Sequence, residues 1–158
     1  MSAHLRTEIE IDASPARVWD VLTDFAAYPD WNPFIPRLAG EAAVGSRRAA
    51  RLQPPGGRGM TLRPTVLAAA PGRELRWVGH LGVPGLFDGE HGFRIEPLGP
   101  DRVRFIQEER FTGLLAPLVL RFIEEGTRRG FEAMNRALKR RAEQGPASPR
   151  TPEGAARA

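Results

Sequence analysis

The sequence predicts an α+β domain: a curved antiparallel sheet of about seven strands wrapped round one long C-terminal helix, with two short helices after the first strand. Three observations lead there. From Leu114 to Glu143 apolar residues recur at helical spacing, the longest such run in the chain. From Arg37 to Phe111 the pattern becomes short alternating runs divided by turn residues, and links that short join only antiparallel neighbours. An open sheet of that many strands curls, and the terminal helix alone is long enough to fill its hollow.

The first strand is read from Leu5, Thr7, Ile9 and Ile11, which alternate with Arg6, Glu8 and Glu10 as in a half-buried strand. Ser14 before Pro15 starts a short helix carrying Val18, Trp19, Val21 and Leu22, because serine caps free amides and proline costs nothing at the first helical position. Asp24 is placed as the cap of a second helix ending by Tyr28 and Pro29. The segment Asp30 to Pro36 is too rich in proline for regular structure and too apolar for a solvent loop, so it must lean on the body of the protein. Six further strands are placed at Leu38 to Ala42, Arg47 to Gln53, Met60 to Ala69, Glu74 to Leu81, Gly89 to Pro97 and Arg102 to Phe111.

On the long helix, Leu115, Val119, Phe122, Ile123, Gly126, Thr127, Gly130, Phe131, Met134, Ala137 and Leu138 share one broad face, opposite Arg121, Glu125, Arg128, Glu132, Arg136 and Lys139. Glycine inside a helix costs up to ~1 kcal/mol relative to alanine. Gly126 and Gly130 on the covered face therefore signal close approach, either of a packed segment or of a ligand.

With 158 residues the chain is one domain, placed at 1–143, and the Pro-, Ala-, Gly- and Arg-rich stretch 144–158 reads as a disordered tail. There is no cysteine, which excludes disulfides, thiolate nucleophiles and cysteine-held zinc. The net charge is +4 and Lys139 is the sole lysine. Basic residues are scattered, which argues against a nucleic-acid footprint. The exception is Arg128, Arg129, Arg136, Lys139, Arg140 and Arg141 on the last helix, which read as a solvated face interspersed with acids or as a weak attraction to acidic partners or anionic lipid. Met1 to Glu10 lacks the apolar core of a signal peptide, and Leu114 to Ile123 falls short of the ~20 residues that span a bilayer. A cytoplasmic protein without integral membrane association is expected, its oligomeric state open.

Asp12 to Pro15, Val18, Trp19, Val21 to Asp24, and then Tyr28, Pro29, Trp31, Asn32 and Pro33 resemble the opening of polyketide cyclase-like proteins of the START-related, or SRPBCC, superfamily. Glu109 to Leu115, followed by Phe131, Met134, Asn135 and Leu138, resembles the family's end. The resemblance implies a helix-grip fold, in which the sheet holds the last helix with a hydrophobic cavity between them. It also implies that the Val83 to Phe87 loop, the Trp31 to Pro36 segment and the start of the long helix surround the cavity entrance. The apolar loop reads equally as a lid or as ordinary packing of Leu86 and Phe87 on Leu114 and Leu118.

Assuming hairpin turns at Gly82 to Asp88 and Leu98 to Asp101, one sheet face carries four cross-strand rows. They are Leu75–Ile95–Val103, Trp77–Phe93–Phe105, Gly79–His91–Gln107 and Leu81–Gly89–Glu109. This face grades from aliphatic through aromatic to polar, which suits a ligand with an apolar body and a polar end. The candidate ligand-binding residues are Trp31, Phe34, Trp77, Phe87, His91, Phe93, Phe105, Gln107, Glu109, Phe131 and Met134. His91 beside Glu109 is open to three readings: a proton-transfer pair, a satisfied structural pair, or a Glu109 that turns to the cavity mouth to meet solvent or an arginine.

No Walker loop, dinucleotide fingerprint, nucleophile elbow or metal-spaced histidine set occurs, and His80 falls on the opposite strand face from His91. No cofactor or metal is expected. The leading reading is a carrier or binding protein for a small hydrophobic molecule: lipid, quinone, polyketide or other aromatic. The alternatives are an enzyme of cyclase, aromatase or dehydratase type using the same cavity, and a protein-interaction adaptor.

Overall fold

A computed structural model describes residues 3–145 of the chain. The predicted tail lies outside the described residues beyond position 145. Strand β1 (Ala3–Ile11) leads to helix α1 (Pro15–Thr23), a 3-10 turn (Phe25–Ala27) and helix α2 (Tyr28–Trp31). Strands β2 (Arg37–Leu38), β3 (Ala50–Leu52), β4 (Met60–Leu62), β5 (Thr65–Ala70), β6 (Glu74–His80), β7 (Asp88–Gly99) and β8 (Arg102–Thr112) follow, and helix α3 (Ala116–Glu143) closes the fold.

This is the expected antiparallel sheet gripping a C-terminal helix, with the strands shared between two sheets. The larger has the order β1-β8-β7-β6-β5 and the smaller β2-β3-β4. The run Met60 to Ala69 divides at Arg63 and Pro64, since proline has no amide to give a ladder. The segment leading into β3 runs beside the start of β5, with a bridge from Arg47 to Thr65 and backbone hydrogen bonds from Gly45 to Val66, Arg48 to Pro64 and Val66 to Ser46.

Ser14 caps α1, its hydroxyl accepting from the Arg17 amide at 3.1 Å. The side chain of Asp24, by contrast, makes no capping bond. Arg17 reaches across to the end of α3, where its guanidinium donates to the carbonyls of Arg141, Ala142 and Gly145. Four carbonyls at a helix C-terminus lack partners within the helix, and a cation there also meets the negative end of the dipole. The proline-rich segment is fixed by Asn32, whose Oδ1 accepts from the amides of Phe34 at 3.1 Å and Ile35 at 2.8 Å. Phe34 and Ile35 are thereby turned into the core.

The centre of the grip is Phe131, Met134 and Leu138 on α3 against Leu5, Ile11, Phe93 and Phe105 of the sheet, all buried. Asn135 Nδ2 donates to Thr7 Oγ1 at 3.0 Å, tying helix to edge strand inside this apolar layer. Phe34 meets Phe131 edge to face at 5.5 Å. A methyl group on Gly130 would sit 2.2 Å from the Phe34 ring, so it is Phe34 that approaches the helix backbone there. One assignment on α3 is corrected: Phe122 is 81% exposed, because it lies towards the outer edge of the helix rather than over the sheet.

The register of β6, β7 and β8 also departs from expectation. The observed rows are Leu75–Phe93–Gln107, Trp77–His91–Glu109 and Gly79–Gly89–Phe111, with Ile95 beside Phe105 and Pro97 beside Val103. Each hairpin closes two residues away from the assumed position. The cause at one end is that β7 runs on to Gly99 with an irregularity after Pro97, leaving only Pro100 and Asp101 to turn. A slip of two preserves the face, so the same side chains point inward beside different neighbours.

Candidate functional site

Above the solid core, towards the β6–β7 loop, sheet and helix part. A cavity of about 120 Å³ remains, almost wholly apolar in its lining. Its floor is the inner face of the sheet: Trp77 and Gly79 from β6, Gly89 and His91 from β7, Glu109 and Phe111 from β8. Val119, Ile123 and Thr127, one helical turn apart, form the α3 wall. Ala50, Leu52, Pro54, Met60 and Leu62 of the small sheet form the opposite wall, and Phe34 and Phe87 close the ends.

Of the candidate residues, Phe34, Trp77, Phe87, His91 and Glu109 line this space. Phe93, Phe105, Gln107, Phe131 and Met134 do not; they are fully buried beneath it as the core that supports His91. Trp31 is placed elsewhere, packed edge to face on Tyr28 at 5.1 Å and facing a surface cleft with Arg17 and Asp20. The sequence places strands over β3 and β4 but not their role as a cavity wall, because their separation into a second sheet depends on pairing with distant chain. Val119, Ile123 and Thr127 were legible only as members of the covered helix face.

His91 is held on all sides. Its ring stacks on Phe93 at 4.5 Å and lies 4.8 Å from Phe131 and 5.4 Å from Trp77. Gln107 Nε2 is 2.9 Å from His91 Nε2 and also donates to Met134 Sδ at 3.5 Å. On the other side, His91 Nδ1 lies 3.6 Å from Glu109 Oε2. The His91 side chain is 5% exposed and that of Glu109 16%, through the cavity.

Burial disfavours the charged form of each group. It pushes the Glu109 carboxyl up to about 8 and the His91 imidazole down to about 3, so near neutral pH both are uncharged. Among the described residues Glu109 has no Lys or Arg within ion-pair distance and no hydrogen-bond partner. A second, partly exposed histidine pair, His80 Nδ1 with Asp88 Oδ1 at 2.7 Å, braces the β6–β7 loop, since Asp88 Oδ2 also accepts from the Gly85 amide. His80, expected to face away from the cavity, is nevertheless among its lining residues. Among the described residues no group of three His, Cys, Asp or Glu side chains could hold a metal, and no helix is long and apolar enough to cross a membrane.

Comparison with known proteins supplies the relationship. The family described as polyketide cyclase / dehydrase and lipid transport matches residues 2–143. No curated protein matches the sequence. Among solved structures, a START superfamily protein from Mycobacterium smegmatis is 25% identical, with a TM-score of 0.68 over 89% of this chain and 97% of that one. Norcoclaurine synthase from Thalictrum flavum, in complex with dopamine and hydroxybenzaldehyde, is 15% identical with a TM-score of 0.70 over 94% and 90%. The Zhui aromatase/cyclase from Streptomyces sp. R1128 is 16% identical with a TM-score of 0.67 over 91% and 96%. At those two identities the likeness is one of fold. The match along nearly the whole described chain, on a sheet that grips its last helix round an apolar hollow, makes this protein a member of the polyketide cyclase / dehydrase and lipid transport family of the START-related superfamily.

Proposed function

We propose that the chain binds a small hydrophobic molecule in the cavity between sheet and α3, as a carrier or binding protein. The observation that carries this reading is an apolar hollow with one polar corner, Glu109 beside His91. An apolar cavity of roughly 150 Å³ in another protein stays dry and takes up benzene. The 120 Å³ here suits a body of about one aromatic ring, and a longer polyketide, quinone or lipid would need the walls to part. The ring-sized compounds in the norcoclaurine synthase complex are consistent with that scale.

Native mass spectrometry of protein freshly purified from its own host tests the reading. An apolar adduct of matching mass is expected, together with a thermal shift when the extracted compound is added back. Protein that carries nothing, and whose melting is unmoved by any ring-sized hydrophobic compound, would count against it.

A second reading is favoured by one feature: a buried carboxylic acid and an imidazole meet at the cavity wall, where they could move a proton on a bound ligand, as a cyclase, aromatase or dehydratase requires. With the host compound in hand, Glu109→Gln separates the two. Unchanged binding with lost conversion supports an enzyme; no conversion by the wild type supports a carrier.

A further inference from the structure

Glu109 is the one carboxyl on the cavity wall and has no hydrogen-bond partner among the described residues, and its neighbours decide what that partner can be. The chain of contacts begins at Gln107. Its Nε2 lies 3.5 Å from Met134 Sδ and 2.9 Å from His91 Nε2, and an amide nitrogen donates to both. In this orientation only the amide oxygen, Oε1, lacks a partner; turning the amide round would set that oxygen against sulfur and strand both donors of a buried NH2 group instead. His91 Nε2 is therefore the acceptor, and in a neutral ring the proton then sits on Nδ1, facing Glu109 Oε2 at 3.6 Å. Oε2 is thus the carboxyl oxygen turned towards the ring N–H, at a separation longer than a direct hydrogen bond.

The second oxygen is placed by a glycine. Oε1 lies 2.4 Å from where a β-carbon of Gly89 would stand, so the carboxyl can lean over β7 only because residue 89 has no side chain. Gly89 pairs with Gly79 on β6, where an added methyl would meet only Leu62 at 3.7 Å. Two bare residues side by side give a flat floor between Trp77 and Phe87, with Oε1 at its edge. No Arg or Lys among the described residues reaches the group to hold it as an anion.

The geometry points to a ligand whose polar end is a neutral hydrogen-bond acceptor, a ketone or comparable carbonyl oxygen on a ring lying over Gly79 and Gly89, received by the proton on Glu109 Oε1. This rests on the cavity being the binding site, and it selects among the hydrophobic molecules that such a cavity admits. Anions would meet a carboxyl with no cation nearby, and plain hydrocarbons would leave its proton unpaired. Burial, which holds Glu109 protonated through neutral pH, agrees with this assignment.

Calorimetry or ligand-observed NMR with toluene, acetophenone, benzoate and benzylamine on the full chain tests it. Acetophenone is expected to bind about tenfold tighter than toluene, the worth of one added hydrogen bond in a dry site. Glu109→Gln, whose amide still donates, should retain most of that preference. Glu109→Leu should abolish it while leaving toluene binding within about threefold, with thermal melting checking that both variants fold. Raising the pH past the titration of Glu109 should weaken acetophenone and spare toluene. Equal binding of toluene and acetophenone would overturn the assignment while leaving the cavity as the site. Preference for benzylamine would also overturn it, by showing a carboxylate. Failure of every compound, toluene included, would overturn the cavity reading itself and this inference with it.

Discussion

His91 and Glu109 share a row of the sheet, and the cost of burying a charge sets the proton count of both. An imidazole lowered from 6.5 to about 3 refuses a proton that the unfolded chain accepts, so its contribution is present above 6.5 and is lost as pH falls towards 3. A carboxyl raised from 4.5 to about 8 keeps a proton that the unfolded chain gives up, so its contribution is present below 4.5 and is lost as pH rises to 8. The two limbs leave a stability maximum between about pH 4.5 and 6.5, falling on either side by up to ~1.4 kcal/mol per pH unit. Denaturant midpoints across pH 3 to 9 should show this dome, with Glu109→Gln flattening the alkaline limb and His91→Phe the acid one. Stability that climbs steadily from pH 5 to 8 in the wild type would contradict it. Strand parity puts both residues on the inner face in neighbouring rows, whereas their direct pairing in one row is not legible there. A hairpin's register depends on where its turn closes, and the bulge after Pro97 has no signature in residue type.

Within α3 the same residue type plays opposite parts one turn apart. Gly130 lies under the Phe34 ring, which is 3% exposed and pinned by Phe131, so an added methyl at 2.2 Å has nowhere to push it. Gly126 faces Pro54, where the same methyl would make ordinary contact at 3.8 Å. Gly130→Ala should therefore destabilise by about 1–3 kcal/mol through overpacking, and Gly126→Ala should stabilise by up to ~1 kcal/mol through helix propensity. Urea unfolding of the two variants decides it, and a shared sign would refute the packing argument. The helix face carries a parallel contrast. Phe131→Ala should cost about 3–5 kcal/mol, while Phe122→Ala should stay within ~0.5 kcal/mol, since that ring is already 81% in water. Helical spacing marked both glycines as places of close approach and could not say which was crowded. What covers each comes from Asn32 to Pro54, a stretch whose path is set by side-chain hydrogen bonds and prolines rather than by periodicity. Gly113, at the corner between β8 and α3, has φ of +112° and passes so near the Leu86 carbonyl that a β-carbon would fall 2.6 Å away. The turn from sheet to helix is thus reserved for glycine.

The molecule as a whole has one strong side and one weak side, and the cavity lies between them. The order of elements follows from alternation and turn residues, and it fixes the grip. The division into two sheets follows from Pro64, and only the coordinates reveal that the smaller sheet is a wall of the cavity. That wall is lightly built: β3 and β4 share three residue pairs and β2 and β3 two, and its ties to the main sheet run through the flanking residues 45–48 rather than through β3 or β4 themselves. By contrast β1 and β8 share nine pairs above a packed core. The β6–β7 loop is clasped to the helix, with the amides of Leu114 and Leu115 donating to the carbonyls of Gly85 and Leu86 at 3.1 and 2.9 Å. A ligand reaching the interior should therefore pass by displacing β3 and β4, because local opening follows the fewest buried contacts and ladder bonds. Hydrogen exchange followed by mass spectrometry should find amides 50–62 exchanging on the order of tenfold or more faster than 103–111. A bound ligand should slow the first group most, since it adds apolar contact to Leu52, Met60 and Leu62 where the free protein has the least. If protection on binding appeared instead across residues 81–87 and 113–118, with 50–62 unchanged, the clasped loop would be the moving part and the small sheet a fixed wall.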